Sequence, residues 1–319
     1  MIGGRRIGQN RGRRLPWSNS SSWRFASLLL TVSLWLASSE AAQTQNHFFP
    51  SPTRIAQGEA GELLIADSKS RIVVSWQPGR NKKPKVFDVP GRPVSIAAGW
   101  NKLFVGNERT QTVDVLNRKN GRLLYTLGGN GLYIQRPSDI AVDIEQGLVF
   151  VSDPTTSRVL VFDQGGTLVR TLPALGQKEL IKPTGVFVDT VRGEVLVSDF
   201  EAAGNWFSGA GGVLIYDYQG NHLATLSGNR SDGFEFSRPQ GLAVNGQGQI
   251  YLVDSFRGQV LVFDRNTLQG VTTIGQPGHG PGELMLPLDV VIDATTNDVY
   301  VTNNRNRRIE LFSGKGALP

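Results

Sequence analysis

Beyond residue 50 the hydrophobic positions fall into short runs, and the runs recur. Each unit opens just after a proline, passes through a strand-like run that closes on Asp or Asn, and then reaches a run apolar at every position. Val159-Leu160-Val161-Phe162, Val213-Leu214-Ile215-Tyr216 and Val260-Leu261-Val262-Phe263 are the clearest of these. A strand with no polar alternation buries both faces, not one. In the third unit the pattern predicts strands over 140–143, 148–152, 158–163 and, more weakly, 168–172. The separators Glu145-Gln146-Gly147 and Gln164-Gly165-Gly166 are turn clusters of the length that joins antiparallel hairpins.

The unit repeats six times. Its anchor prolines are Pro52, Pro93, Pro137, Pro183, Pro239 and Pro287, so the steps are 41, 44, 46, 56 and 48 residues. A period of roughly 40–50 residues with several short strands per repeat predicts an all-β, six-bladed β-propeller. Each doubly buried strand then lies in a sheet stacked between two neighbours. A long β-sandwich is the alternative, and the fixed repeat with matched motifs disfavours it. The last unit stops soon after its third strand, at 308–312. A ring cannot leave that edge open, so residues 44–49 are expected to supply the missing outer strand.

The motifs themselves are Arg136-Pro-Ser-Asp-Ile-Ala-Val-Asp143 with Leu148-Val-Phe-Val-Ser-Asp153, Lys182-Pro-Thr-Gly-Val-Phe-Val-Asp189 with Val195-Leu-Val-Ser-Asp199, and Arg238-Pro-Gln-Gly-Leu-Ala-Val-Asn245 with Ile250-Tyr-Leu-Val-Asp254. Together with the spacer Gly275-Gln-Pro-Gly-His-Gly-Pro-Gly-Glu-Leu284, they resemble the NHL-repeat family over about residues 50–312. The likeness is weaker in unit one, which opens Ser51-Pro52-Thr53-Arg54-Ile55, and Asn107 and Asn303 replace the second-strand Asp in units two and six. The resemblance implies a six-bladed platform that offers one loop face to a protein, a nucleic acid or a glycan.

The N-terminus adds an address. Six arginines (Arg5, Arg6, Arg11, Arg13, Arg14, Arg24) precede an apolar core at 25–36, and Ser39-Glu40-Ala41 offers small residues for a peptidase. The reading is a signal peptide over 1–41, a propeller over 42–319, and a secreted or periplasmic location. An uncleaved leader is the one route to a membrane. The leader also explains the charge. The whole chain has 33 Lys+Arg against 27 Asp+Glu, and residues 1–41 hold six of the former and one of the latter, which leaves the rest at +1. That near-neutral remainder disfavours nucleic acid. With no cysteine, disulfides, thiolate metal sites and Cys nucleophiles are excluded.

Candidate chemistry is sparse. His47, His222 and His279 lie in an N-terminal arm, a hairpin and a Gly-Pro spacer, without metal-ligand spacing. Peptide-amidating lyases and virginiamycin-lyase-like propellers resemble this repeat but rely on histidines, or on histidines and cysteines, that cannot be placed here. Gluconolactonase-like propellers hold a metal with inner-rim acids and amides. Asp143, Asp189, Asn245 and Asp293 could offer such groups, and their plainer role is to cap their own hairpins. The second-strand ends Asp67, Asn107, Asp153, Asp199, Asp254 and Asn303 read as turn-formers, each with a local ion pair to an arginine such as Arg71, Arg158 or Arg308.

Binding is the better-supported expectation. Arg92, Arg136, Lys182 and Arg238 precede anchor prolines and should share a rim with the loops between second and third strands. They either attract an anionic partner or pair with the Asp row. Unit four breaks the symmetry with a Gly-rich insert over 200–212 that carries Asn205, Trp206 and Phe207; exposed aromatics in a loop are typical anchors, and a lid over the hub is the alternative. Phe256 and Arg257 of unit five complete the candidate set. The expected protein is a monomeric, non-enzymatic scaffold without a cofactor, binding a protein partner of acidic character, or a glycan. An enzyme with a hub metal, a lyase or lactone hydrolase, is the alternative.

Overall fold

The computed structural model describes residues 49–80, 83–128, 133–200, 211–228 and 233–314; the expected leader, His47 and the insert residues Asn205, Trp206 and Phe207 lie outside them. Among the described residues there is no helix. Five four-stranded antiparallel sheets and one of three strands follow one another in chain order, giving six blades. Blade one comprises Pro52–Gln57, Leu63–Asp67, Ile72–Trp76 and Lys85–Asp88. Blade three comprises Asp139–Asp143, Leu148–Asp153, Arg158–Asp163 and Leu168–Leu172, within one residue of the pattern read from the sequence.

Burial follows the expected logic. In the third strand of blade three Val159, Leu160, Val161 and Phe162 are all buried, and so are Val260, Leu261, Val262 and Phe263 in blade five. The two faces of each sheet feed separate apolar layers. Val159 and Val161 pack with blade four through Leu180, Val186 and Val197, whereas Leu160 and Phe162 pack with blade two through Phe104, Val113 and Leu127. The outermost strands are the least buried, exposed over three of five residues in Leu123–Leu127 and mostly half-buried in Leu168–Leu172.

The ring closes between blades six and one. Phe49, Ile55, Leu63, Ile65, Val74 and Trp76 pack against Tyr300 and Ile309. The Asn304 amide donates to Pro52 O at 2.9 Å. Comparable side-chain links step round the ring on the same face: Ser95 to Pro137 O, Thr184 to Pro239 O and Ser255 to Pro287 O. Phe49 N donates to Arg307 O at 3.1 Å, just as Val89 N donates to Arg71 O at 3.0 Å directly after the outer strand of blade one. Phe49 therefore stands where a residue following an outer strand stands. The strand itself, expected over 44–49, lies outside the described residues apart from this one.

Candidate functional site

Two regions gather the candidate residues and the largest polar groupings of the ring's axis: the rim on the proline side, and the axial funnel that opens on the other side.

On the rim, the second-strand Asp or Asn organises each blade. Asp254 has no exposed surface; its Oδ1 accepts the N–H groups of Phe256 and Arg257, and its carboxylate also takes those of Ser237 (2.6 Å) and Arg238 (3.0 Å). Asp153 does the same for Gln135, Arg136, Thr155 and Thr156. Asp67 and Asn107 repeat the arrangement. One side chain thus joins the loop after the second strand to the segment before the anchor proline, which places the four expected cations beside the second-to-third-strand loops.

Two expectations need correction. Asn107, Asp153 and Asp254 bond the backbone N–H of Arg92, Arg136 and Arg238, not their charged heads. Nor do Asp67 and Arg71, or Asp153 and Arg158, form an ion pair; Arg308 pairs with Glu310 at 2.5 Å. The reason is supply: a buried carboxylate already holding up to four N–H donors has its lone pairs filled.

The heads of Arg92, Arg136 and Arg238 act elsewhere. Arg92 and Arg136 share Glu108, at 2.8 and 3.4 Å, with their own side chains 61% and 58% exposed, so the trio keeps one positive charge at the surface. The Arg238 guanidinium lies over the Phe256 ring at 5.0 Å and the Phe200 ring at 5.8 Å. Phe256 is 60% exposed, although its N–H is fixed by Asp254. Arg257 turns back instead and donates to Glu235 O and Gly233 O. Lys182 is held through its N–H by Asp199. Of the predicted set, Arg238 and Phe256 come together in one cluster, Arg92 and Arg136 in a second, and Arg257 serves its own loop.

At the axis, the inner strand of every blade has one edge without a partner strand, and its backbone groups need other partners. Arg54, 4% exposed, fills that need. Its guanidinium donates to Ser138 O (3.1 Å), Thr184 O (2.7 Å) and Leu288 O (2.6 Å), which belong to blades three, four and six, and its Nε lies 3.3 Å from Asp139 Oδ1. Asp139 accepts Val186 N of the next blade, and Asp289 accepts Ile55 N of blade one at 2.9 Å. Gly241 makes room, since a Cβ there would fall 1.8 Å from Asp289 Oδ1. Burial raises the pKa of Asp289 to about 8, helped by the Asp139 charge and opposed by Arg54 and two N–H groups. Asp139 is also raised, by burial above all.

Sequence reasoning missed this hub. Its trace is the position two after each anchor proline, which reads Arg54, Ser95, Asp139, Gly185, Gly241 and Asp289. Above the two carboxylates the axis widens into a cavity of about 260 Å³, walled by residues such as Ala56, Ala141, Phe187, Ala243 and Val291, with Gln57, Asn245 and Asn297 near the mouth. The first-strand ends cap their hairpins: Asp143, Asp189 and Asp293 each accept two N–H groups of the following turn. His222 bonds Thr225, and His279 bonds Asn306. Among the described residues no three acidic or His side chains cluster as a metal site.

Residues 229–315, which span blades five and six, match the DUF5128 family model, a 6-bladed beta-propeller. Kuenenia stuttgartiensis hydrazine synthase is a similar solved structure, with a TM-score of 0.62 at 14% identity over 84% of this chain and 78% of that one. At that identity the likeness is one of fold.

Proposed function

We infer that this six-bladed propeller is an exported, non-enzymatic binding scaffold whose proline-side rim receives a protein partner of acidic character. The observation that carries the reading is the stack of Phe200, Arg238 and Phe256, in which a large apolar ring is held 60% exposed on a backbone fixed by a buried carboxylate. A preordered aromatic beside a guanidinium suits an interface anchor, because little side-chain freedom is lost on binding. The Arg92–Glu108–Arg136 group adds unneutralised positive charge on blades two and three, which favours encounter with an acidic surface. The insert over 200–212 begins at Phe200 and brings two further aromatics into the same stretch of chain. The NHL-like motifs agree with a platform role, though fold alone does not select a partner. A hub-metal enzyme is less well supported, since one of the two hub carboxylates is ion-paired with Arg54 and no third acidic or His side chain among the described residues joins them.

The test compares the immobilised wild-type protein with Phe256→Ser and Arg238→Gln in periplasmic extract. The wild type is expected to retain a partner that about 500 mM salt weakens, and both variants to lose it with unchanged melting temperature. Equal retention by the three proteins would place the binding surface elsewhere.

A further inference from the structure

We propose that the axial funnel, on the opposite side from the rim, is a binding site for a small primary ammonium with a short apolar body, its charged head set between Asp139 and Asp289.

Three observations converge. The first is shape. The cavity of about 260 Å³ lies just below the range of pockets for drug-sized molecules, roughly 300–1,000 Å³, so it suits a compact ligand. The second is the wall. Ala56, Ala141, Ala243 and Val291 present small apolar groups, and Phe187 adds a ring that can face a cation. Alanine at three of these inner-strand positions leaves the space open; larger side chains there would narrow it.

The third is charge at the floor. Two carboxylates line the cavity and one guanidinium lies against them. Fully ionised, the triad carries one excess negative charge on buried side chains, which is costly unless matched. Without a ligand a proton on Asp289 matches it, consistent with that group's raised pKa. An ammonium would replace the proton and donate up to three hydrogen bonds. Asp289 spends Oδ2 on Ile55 N. A neutral ligand would leave that excess charge in place, and an anionic one would add to it.

The charged groups that face Asp289 are Asp139 from blade three and Arg54 from blade one; the other named residues of the wall and mouth are uncharged. Binding should therefore expel a proton. Affinity is expected to rise about tenfold per pH unit up to about 8 and then level off, while the ligand amine stays charged to about pH 10.

The experiment titrates the exported protein calorimetrically with n-butylammonium, butan-1-ol and butyrate at pH 6, 7, 8 and 9. Butylammonium should bind at least tenfold more tightly than either analogue at pH 8. Asp289→Asn keeps an acceptor for Ile55 N and should weaken binding tenfold or more with a flat pH profile. Ala141→Leu fills the wall, leaves the triad intact and should also abolish binding; it serves as the second variant where Asp289→Asn alters the melting curve. Butan-1-ol binding as well as the amine, no heat from the amine at millimolar concentration, or unchanged amine affinity in both variants would each overturn the proposal. A different outcome at the rim leaves it standing, because the two sites share no residue.

Discussion

Arg54→Met is the most informative single perturbation of this fold. The side chain is 4% exposed and bonds three carbonyls from three blades, besides neutralising Asp139. Methionine fills similar volume but leaves those carbonyls and the Asp139 carboxylate without their partner. Breaking a buried ion pair from one side costs about 3–5 kcal/mol, and orphaned carbonyls add to it, roughly 1–3 kcal/mol each where water does not enter. Water can reach the site from the funnel, so about 4 kcal/mol is the working figure. The sign with pH is also fixed. Removing the guanidinium raises both carboxyl pKa values further, so at pH 5 protons relieve the charge and the loss shrinks. Urea denaturation at pH 5 and pH 7 measures both effects, and Arg54→Met/Asp139→Asn/Asp289→Asn should recover part of the loss at pH 7. A loss under about 1 kcal/mol at pH 7, or one identical at both pH values, would refute an electrostatic axle.

Asp289→Asn should stabilise the protein at pH 8–9 and flatten its stability profile. The folded pKa of about 8 lies above the ordinary 3.8, so the wild type loses stability as pH rises through that window, which melting temperatures at pH 5, 7 and 9 would record. Asp254→Ala removes an acceptor from four N–H groups and should cost about 3–5 kcal/mol by denaturant titration, whereas Asp254→Asn should cost about 1 kcal/mol, since Asn107 and Asn303 hold the equivalent place in other blades. Phe49→Ala should lower stability by about 3–5 kcal/mol, because Phe49 is 4% exposed in the layer that joins blades six and one. Deleting residues 43–48 should also lower the melting temperature if they form the outer strand of blade six; an unchanged value would leave that edge to another segment. N-terminal sequencing of the exported protein should begin at Ala42, and an intact Met1 in the membrane fraction would contradict cleavage.

Blade structure was legible because repetition amplifies weak local signals. A run such as Val159–Phe162 could be a buried helix turn in isolation, but its recurrence beside Pro and Asp landmarks leaves a stacked sheet. The second-strand Asp row was legible as architecture, and its partners were not. An Asx turn is local and shows in spacing, whereas the bond from Asp254 to Arg238 N spans 16 residues and depends on the ring. Arg54 was harder still. It lies in the weakest repeat, where an arginine reads as a degraded motif, and its partners belong to blades as far as 234 residues away. Only comparing the same register position across all six units exposes the charge pattern. Phe256 and Arg257 are neighbours of the same composition as many solvated loops, and their different fates were set by which carbonyls lay within reach.

Whether the rim receives the protein partner is read most directly by placing a photo-crosslinking amino acid at Phe256 and, separately, at Ile144. Both side chains are well exposed, at 60% and 57%, but Phe256 follows a second strand on the rim and Ile144 follows a first strand on the funnel side. A crosslinked partner is expected from position 256, lost at high salt, and none from position 144. The same partner captured from position 144 and not from 256 would contradict it.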